Sequence, residues 1–133
     1  MAKRGKGKIR WTQAPDVKRR IVALAKNLQI TWVRNSRIFC FRSVNANTNA
    51  YARIWGLPRI WQQALDLEPA YLLEVISEKF DRLSQIEKAK VLLHELTHIP
   101  KNFSGSLVPH IRHGKRSFHG KVDELISRYL RNK

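Results

Sequence analysis

Apolar residues change their spacing several times along this chain, and each change marks an element. Val17, Ile21, Leu24 and Leu28 recur at three- and four-residue intervals, which places them on one helical face. Asp16, following Pro15, is the expected N-cap, and the helix is expected to end near Asn27. From Ile30 to Arg42 the pattern turns strand-like. Ile30 and Trp32, then Ile38, Phe39 and Phe41, interrupted by Arg34-Asn35-Ser36, predict a hairpin or two short strands. Past the polar loop Asn45-Ala46-Asn47-Thr48-Asn49, two aromatic-rich runs, Tyr51–Trp55 and Arg59–Trp61, flank Gly56-Leu57-Pro58, which is turn chemistry. Tyr71–Ile76 reads as a further strand, with Pro69 suited to its start or to an edge. Ser84-Gln85-Ile86-Glu87 matches a capping box, and Ile86, Ala89, Leu93 and Leu96 then keep helical spacing until Pro100 stops the helix. Residues 101–119, rich in Gly, Ser, Pro and His, predict a loop. Val122, Leu125, Ile126, Tyr129 and Leu130 predict an amphipathic closing helix. Strands grouped mid-chain with helices before and after them make the fold class α+β.

Composition bounds this picture. A chain of 133 residues suits one domain, expected over residues 15–133 behind a flexible basic tail at residues 1–14. Hydrophobic residues at 43% suffice for a core, which excludes wholesale disorder. No apolar run approaches the roughly 20 residues that span a bilayer, and no hydrophobic segment follows Met1-Ala2-Lys3-Arg4-Gly5-Lys6, so neither a membrane span nor a secretory signal is expected. Cys40 is the single cysteine, so a disulfide framework and a CxxC zinc ribbon are excluded and the cytoplasm is the simplest compartment.

Charge changes the picture most. There are 26 Lys and Arg against 10 Asp and Glu, a net +16, which exceeds what solubility asks of a small domain. The excess is front-loaded: residues 1–37 carry eleven cations against Asp16 alone. Such a balance favours a polyanion, and nucleic acid is the commonest one. A membrane surface is disfavoured, because no stretch sets a basic face against a broad Trp/Leu face. Lys3, Arg4, Lys6, Lys8 and Arg10 in the tail, with Lys18, Arg19 and Arg20 on the wet side of the first helix, are the candidate phosphate contacts.

The chemistry lies in the capped helix. His94-Glu95-Leu96-Thr97-His98 places two imidazoles one turn apart on one face, the spacing of two zinc ligands, with Glu95 beside them to act on water. Leu92, Leu93 and Leu96 make this a buried helix, which argues against two merely solvated histidines at its end. Zinc needs a third protein ligand and an open position. His110, His113 and His119 are the candidates, with Asp123 and Glu124 behind them. His110 is favoured, because Gly105 and Pro109 can turn the intervening loop back toward the helix end. His119 is second, as ligand or as donor to an oxyanion. Trp55, Trp61 and Phe103 are expected to pack in the core rather than line a specificity cleft.

These residues carry a resemblance. His94-Glu95-Leu96-Thr97-His98-Ile99-Pro100-Lys101-Asn102-Phe103-Ser104-Gly105 with Pro109-His110 resembles a family of small metallopeptidases of phage and archaea. Tyr51–Pro58 and Glu78–Leu83 are similar to it as well, so the resemblance covers about residues 15–130. It implies a minimal zincin-like domain, SprT-like in general plan, with a short mixed or antiparallel sheet beside the metal-binding helix. It also implies zinc, one per chain, on His94, His98 and His110, with Glu95 catalytic on a protein or peptide substrate. The competing expectation is a non-catalytic RNA-binding protein on the same scaffold, ribosome-associated or ribosomal, supported by the charge and the tail. A histidine-based endoribonuclease fits less well, because Glu95 directly follows the first histidine.

Overall fold

The computed structural model describes residues 7–109 and 118–132. Four strands form one sheet: β1 (Arg10–Gln13), β2 (Ile38–Val44), β3 (Ala52–Gly56) and β4 (Tyr71–Ile76), in the order β1-β2-β4-β3. The central pair β2 and β4 is parallel, and each edge strand pairs antiparallel, so the sheet is mixed. The described α-helices are α1 (Pro15–Asn27), α2 (Arg59–Leu65), α3 (Ser77–Phe80), α4 (Gln85–Leu96) and α5 (Phe118–Asn132). The fold is α+β, and no described helix is long and apolar enough to cross a membrane.

Side chains alternate across a strand, so the pairing register sorts the sheet into two faces. Ile38 and Cys40, Leu73 and Val75, and Ala52 and Ile54 share the inner one. Against it pack Val17, Ile21 and Leu24 of α1 and Leu92, Leu93 and Leu96 of α4, and α5 adds Val122 and Ile126 to the same core from its place against α4 and α1. Burial on this face pushes the Cys40 thiol up to about 11, which leaves it a small apolar residue rather than a nucleophile. The capping box forms as the sequence predicts. Ser84 Oγ accepts from the Glu87 amide at 3.2 Å, and the Glu87 carboxylate accepts from the Ser84 amide at 3.1 Å.

Three expectations are corrected. Asp16 is not the N-cap of α1: Pro15 takes the first helical position, Ala14 precedes it without a side-chain cap, and Asp16 sits in the first turn. There it accepts two bonds of 3.0 Å from Arg42, whose guanidinium also donates to Asp81 at 2.7 and 2.9 Å. That guanidinium holds the Asp16 carboxyl down at about 2. Residues 30–34 form no strand. Ile30 and Val33 enter the core without a ladder, Trp32 donates to the Ile99 carbonyl at 3.1 Å, and a 3-10 turn (Asn35–Arg37) leads into β2. Gly56-Leu57-Pro58 leads into the helix α2, and β4 is central, so of the two placements open to Pro69 the strand's start holds and the edge does not. Finally, Arg10–Gln13 is paired to β2, so a free tail through residue 14 is too long.

Candidate metal centre

The last turn of α4 and the residues just after it carry His94, Glu95 and His98. The two imidazole centroids lie 5.2 Å apart at 73° to one another. Thr97, the C-cap, bonds its hydroxyl to the His94 carbonyl at 2.7 Å, and the amide of His98 reaches the Glu95 carbonyl at 3.1 Å, so the helical path continues through the motif. The loop then returns to His98. The Val108 amide donates to the His98 carbonyl at 2.7 Å, and the Val108 carbonyl lies 2.5 Å from His98 Nδ1. A carbonyl only accepts, so that contact selects the tautomer protonated at Nδ1 and puts the ring's lone pair on Nε2. Glu95 is 8% exposed, and burial pushes its carboxyl up to about 7.

All three side chains line one cleft of about 700 Å³, together with Lys90 of α4, Asp123 of α5 and residues 50–54 at the start of β3. β3 is an edge strand of the sheet, paired to β4 alone among the described residues.

The groups that hold this loop in place include several that sequence reasoning passes over. Tyr71, at the start of β4, is 1% exposed; its hydroxyl donates to the Ser106 carbonyl at 2.7 Å and accepts from the Gly105 amide at 2.8 Å. Its ring meets Phe103 edge-on at 4.9 Å. Gln62 of α2 donates to the carbonyls of Leu57 and Ser104 at 2.8 and 2.9 Å. Between them, two glycines bring main chain against main chain: a Cβ on Gly56 would lie 1.9 Å from the Gly105 carbonyl oxygen. Gly105 has φ of +100°, and a Cβ there would lie 2.4 Å from the Leu57 carbonyl oxygen, so neither position accepts a side chain. Tyr71 read only as a strand aromatic, and Gln62 gave no signal at all.

The remaining expected site residues fall as follows. His110, His113, Lys3, Arg4 and Lys6 lie outside the described residues, as does the side chain of His119 in α5. Among the described residues no group of three His, Cys, Asp or Glu completes a metal-holding set. Glu124, unlike Asp123, is not part of the cleft wall. Lys8, Arg10 and Arg19 are exposed. Lys18 instead donates to the Asn35 and Ile38 carbonyls at 2.5 and 2.6 Å, and Arg20 bonds Gln85. Phe103 is in the core as expected, but Trp55 and Trp61 are 52% and 53% exposed and are not core residues.

A family model described as putative phage metallopeptidase matches residues 9–128. The chain belongs to that family. No curated protein and no solved structure matches it. For a member of this metallopeptidase family a metal ion is implied, and the observed donors suit one. Two imidazoles stand one turn apart, one of them in the tautomer that coordinates through Nε2, beside a carboxylate buried in the same cleft.

Proposed function

We propose that the protein is a zinc-dependent peptidase of minimal zincin-like build. His94, His98 and His110 hold one zinc per chain, and Glu95 is the general base. Bound there, zinc supplies Lewis-acid polarisation of a peptide carbonyl and acidifies water. Glu95 takes the proton of the attacking water and returns it to the leaving amine. The Val108 carbonyl keeps the His98 ring in one orientation. The edge of β3 that no described residue pairs offers main-chain donors and acceptors along the cleft, where an extended peptide can add as a strand. His110 is in reach by chain length, because the main chain is already at His98 when it reaches Val108, two residues earlier, a span of at most about 7 Å.

The observation that carries this reading is the shared cleft: His94, Glu95 and His98 meet in one hollow beside an edge strand, in a chain of a metallopeptidase family. The net charge of +16 supports a second element of the proposal, association with nucleic acid, which would localise proteolysis on a polyanion. Metal analysis and casein hydrolysis test the site together. Wild type should hold about one zinc per chain, His94→Ala and His98→Ala should lose it, and Glu95→Gln should keep the metal and lose hydrolysis. Equal zinc in wild type and His94→Ala would overturn the assignment.

A further inference from the structure

The outer face of the sheet, turned away from the core helices, carries a second constellation. The register places Trp11 of β1, Phe39 and Phe41 of β2, Leu72 and Glu74 of β4, and Arg53 and Trp55 of β3 on that side. Trp11, Phe39 and Trp55 are 56%, 44% and 52% exposed, so these aromatics are not half of a buried core.

At the centre lies Glu74, 1% exposed. Its carboxylate accepts from Nε1 of Trp55 at 2.9 Å, from Nε1 of Trp11 at 3.3 Å and from Arg53 Nε at 2.7 Å. Burial opposes its charge, but Arg53, Trp55, Ser43 and Trp11 outweigh that and hold the carboxyl below its usual range. Both indoles are thus held by their N–H edges, and what stays accessible is ring surface. Guanidinium groups lie over two of the rings, Arg37 above Phe39 at 5.7 Å and Arg53 above Trp55 at 5.2 Å. Apolar hollows of about 420 and 310 Å³ adjoin these rings.

The occupant must answer two demands. Flat, open aromatic surface calls for a planar apolar group, and cations beside it on a chain of +16 call for an anion. Bases on a phosphodiester backbone answer both, since they stack on aromatic rings while Lys and Arg meet the phosphates. Glu74 neutralises Arg53 and Glu68 neutralises Arg34, whereas Arg37, bonded to the Glu68 and Pro69 carbonyls, forms no ion pair among the described residues and stays the cation of this face. A duplex keeps its base faces stacked inside, so the strand must be single. Trp55 and Phe39 are two strands apart, roughly 10 Å, which lets separate bases use separate rings.

We infer that the outer sheet face binds a single strand of nucleic acid, with bases stacked on Trp11, Phe39 and Trp55 and a phosphate met by Arg37. This rests on the nucleic-acid part of the proposed function and is independent of the metal site.

A labelled oligothymidylate of about 15 nucleotides tests it by fluorescence anisotropy across a salt series. Phe39→Ala and Trp55→Ala should each weaken binding roughly 5- to 150-fold while the salt slope stays put, because a lost stack releases no counterion. Arg37→Ala should lower that slope by about 0.7. A duplex of the same length should bind far more weakly. Should Trp55→Ala fail to fold, Trp55→Phe keeps a ring and should retain most of the affinity. Zinc content should match wild type in Phe39→Ala. Wild-type affinity in both ring variants would overturn the assigned face and leave nucleic-acid association standing elsewhere on the chain. No binding of any polynucleotide by wild type would remove both. If instead Trp55→Ala abolishes a concentration-dependent self-association, the face joins two copies of this chain and the inference falls.

Discussion

His98 is held by main-chain atoms from a loop residue ten positions along the chain. Its Nε2, the nitrogen that would coordinate in the proposed zinc site, is set by that loop, so changes in the loop should reach the metal without touching a ligand. Tyr71→Phe removes the hydroxyl that bonds both Gly105 and Ser106. It should lower zinc affinity several-fold and cost about 1–2 kcal/mol of stability. Competition with a chromophoric chelator and a urea titration measure the two separately, and unchanged zinc affinity would show that the loop does not tune the site. The third ligand is decided in the same assay. His110→Ala should reduce metal affinity by orders of magnitude and His113→Ala should leave it nearly unchanged; a large effect from His119→Ala instead would move the ligand to α5. That His94, Glu95 and His98 meet in one cleft was legible in the sequence because HExxH spacing is itself a geometric statement about one helix face. The supports were not, because Tyr71, Gln62 and Val108 act through the main chain of distant segments, and a main-chain partner leaves no mark in the sequence.

Among the elements, α4 was the most legible, since its start is written in two side chains that bond each other's backbone; its end comes at Leu96, with Thr97 as C-cap, a turn before Pro100. β1 was illegible for the opposite reason. All four of its residues are exposed, so no face alternates, and pairing with β2 alone makes it a strand. α2 has no buried residue, so it offered no helical stripe, and the stretch at Ile30–Val33 mimics a strand because apolar side chains enter the core from irregular backbone. Arg42 ties three elements together: β2, which carries it, the first turn of α1 through Asp16, and the end of α3 through Asp81. Arg42→Ala should cost about 1–2 kcal/mol at neutral pH. The folded Asp16 carboxyl titrates near 2, and Asp81 is also lowered, chiefly by Arg42. Both therefore stabilise fully above the unfolded carboxyl value of about 3.9; the Asp16 contribution is lost as pH falls through its folded value of about 2, and that of Asp81 as pH falls through its own lowered value. Urea titrations at about pH 7 and about pH 2.5 should show a smaller gap between wild type and variant in acid. An equal gap at both would mean that Arg42 acts by packing alone.

At the scale of the whole molecule, the +16 charge favours a polyanion partner without saying which surface would meet it. Lys18 and Arg20, which the sequence placed on a wet helix face, are engaged within the chain, whereas the open aromatics sit across the sheet. Deleting residues 1–8 removes Lys3, Arg4, Lys6 and Lys8 and stops short of β1. The deletion should lower the log–log salt slope of RNA or DNA binding by about three units if all four meet phosphates, with zinc content unchanged. An unaltered slope would make the segment a solubility device. The contact of Gly56 with Gly105 has a consequence for reading related sequences. It joins the end of an edge strand to the loop beyond α4 without any side chain, so it admits no gradual variation. A substitution at one glycine cannot be answered by trimming the other, which already has nothing to trim. A chain that shares the HExxH helix but carries a bulkier residue at either position must therefore route this loop differently, and the two glycines serve as a test for which sequences can be threaded onto this fold.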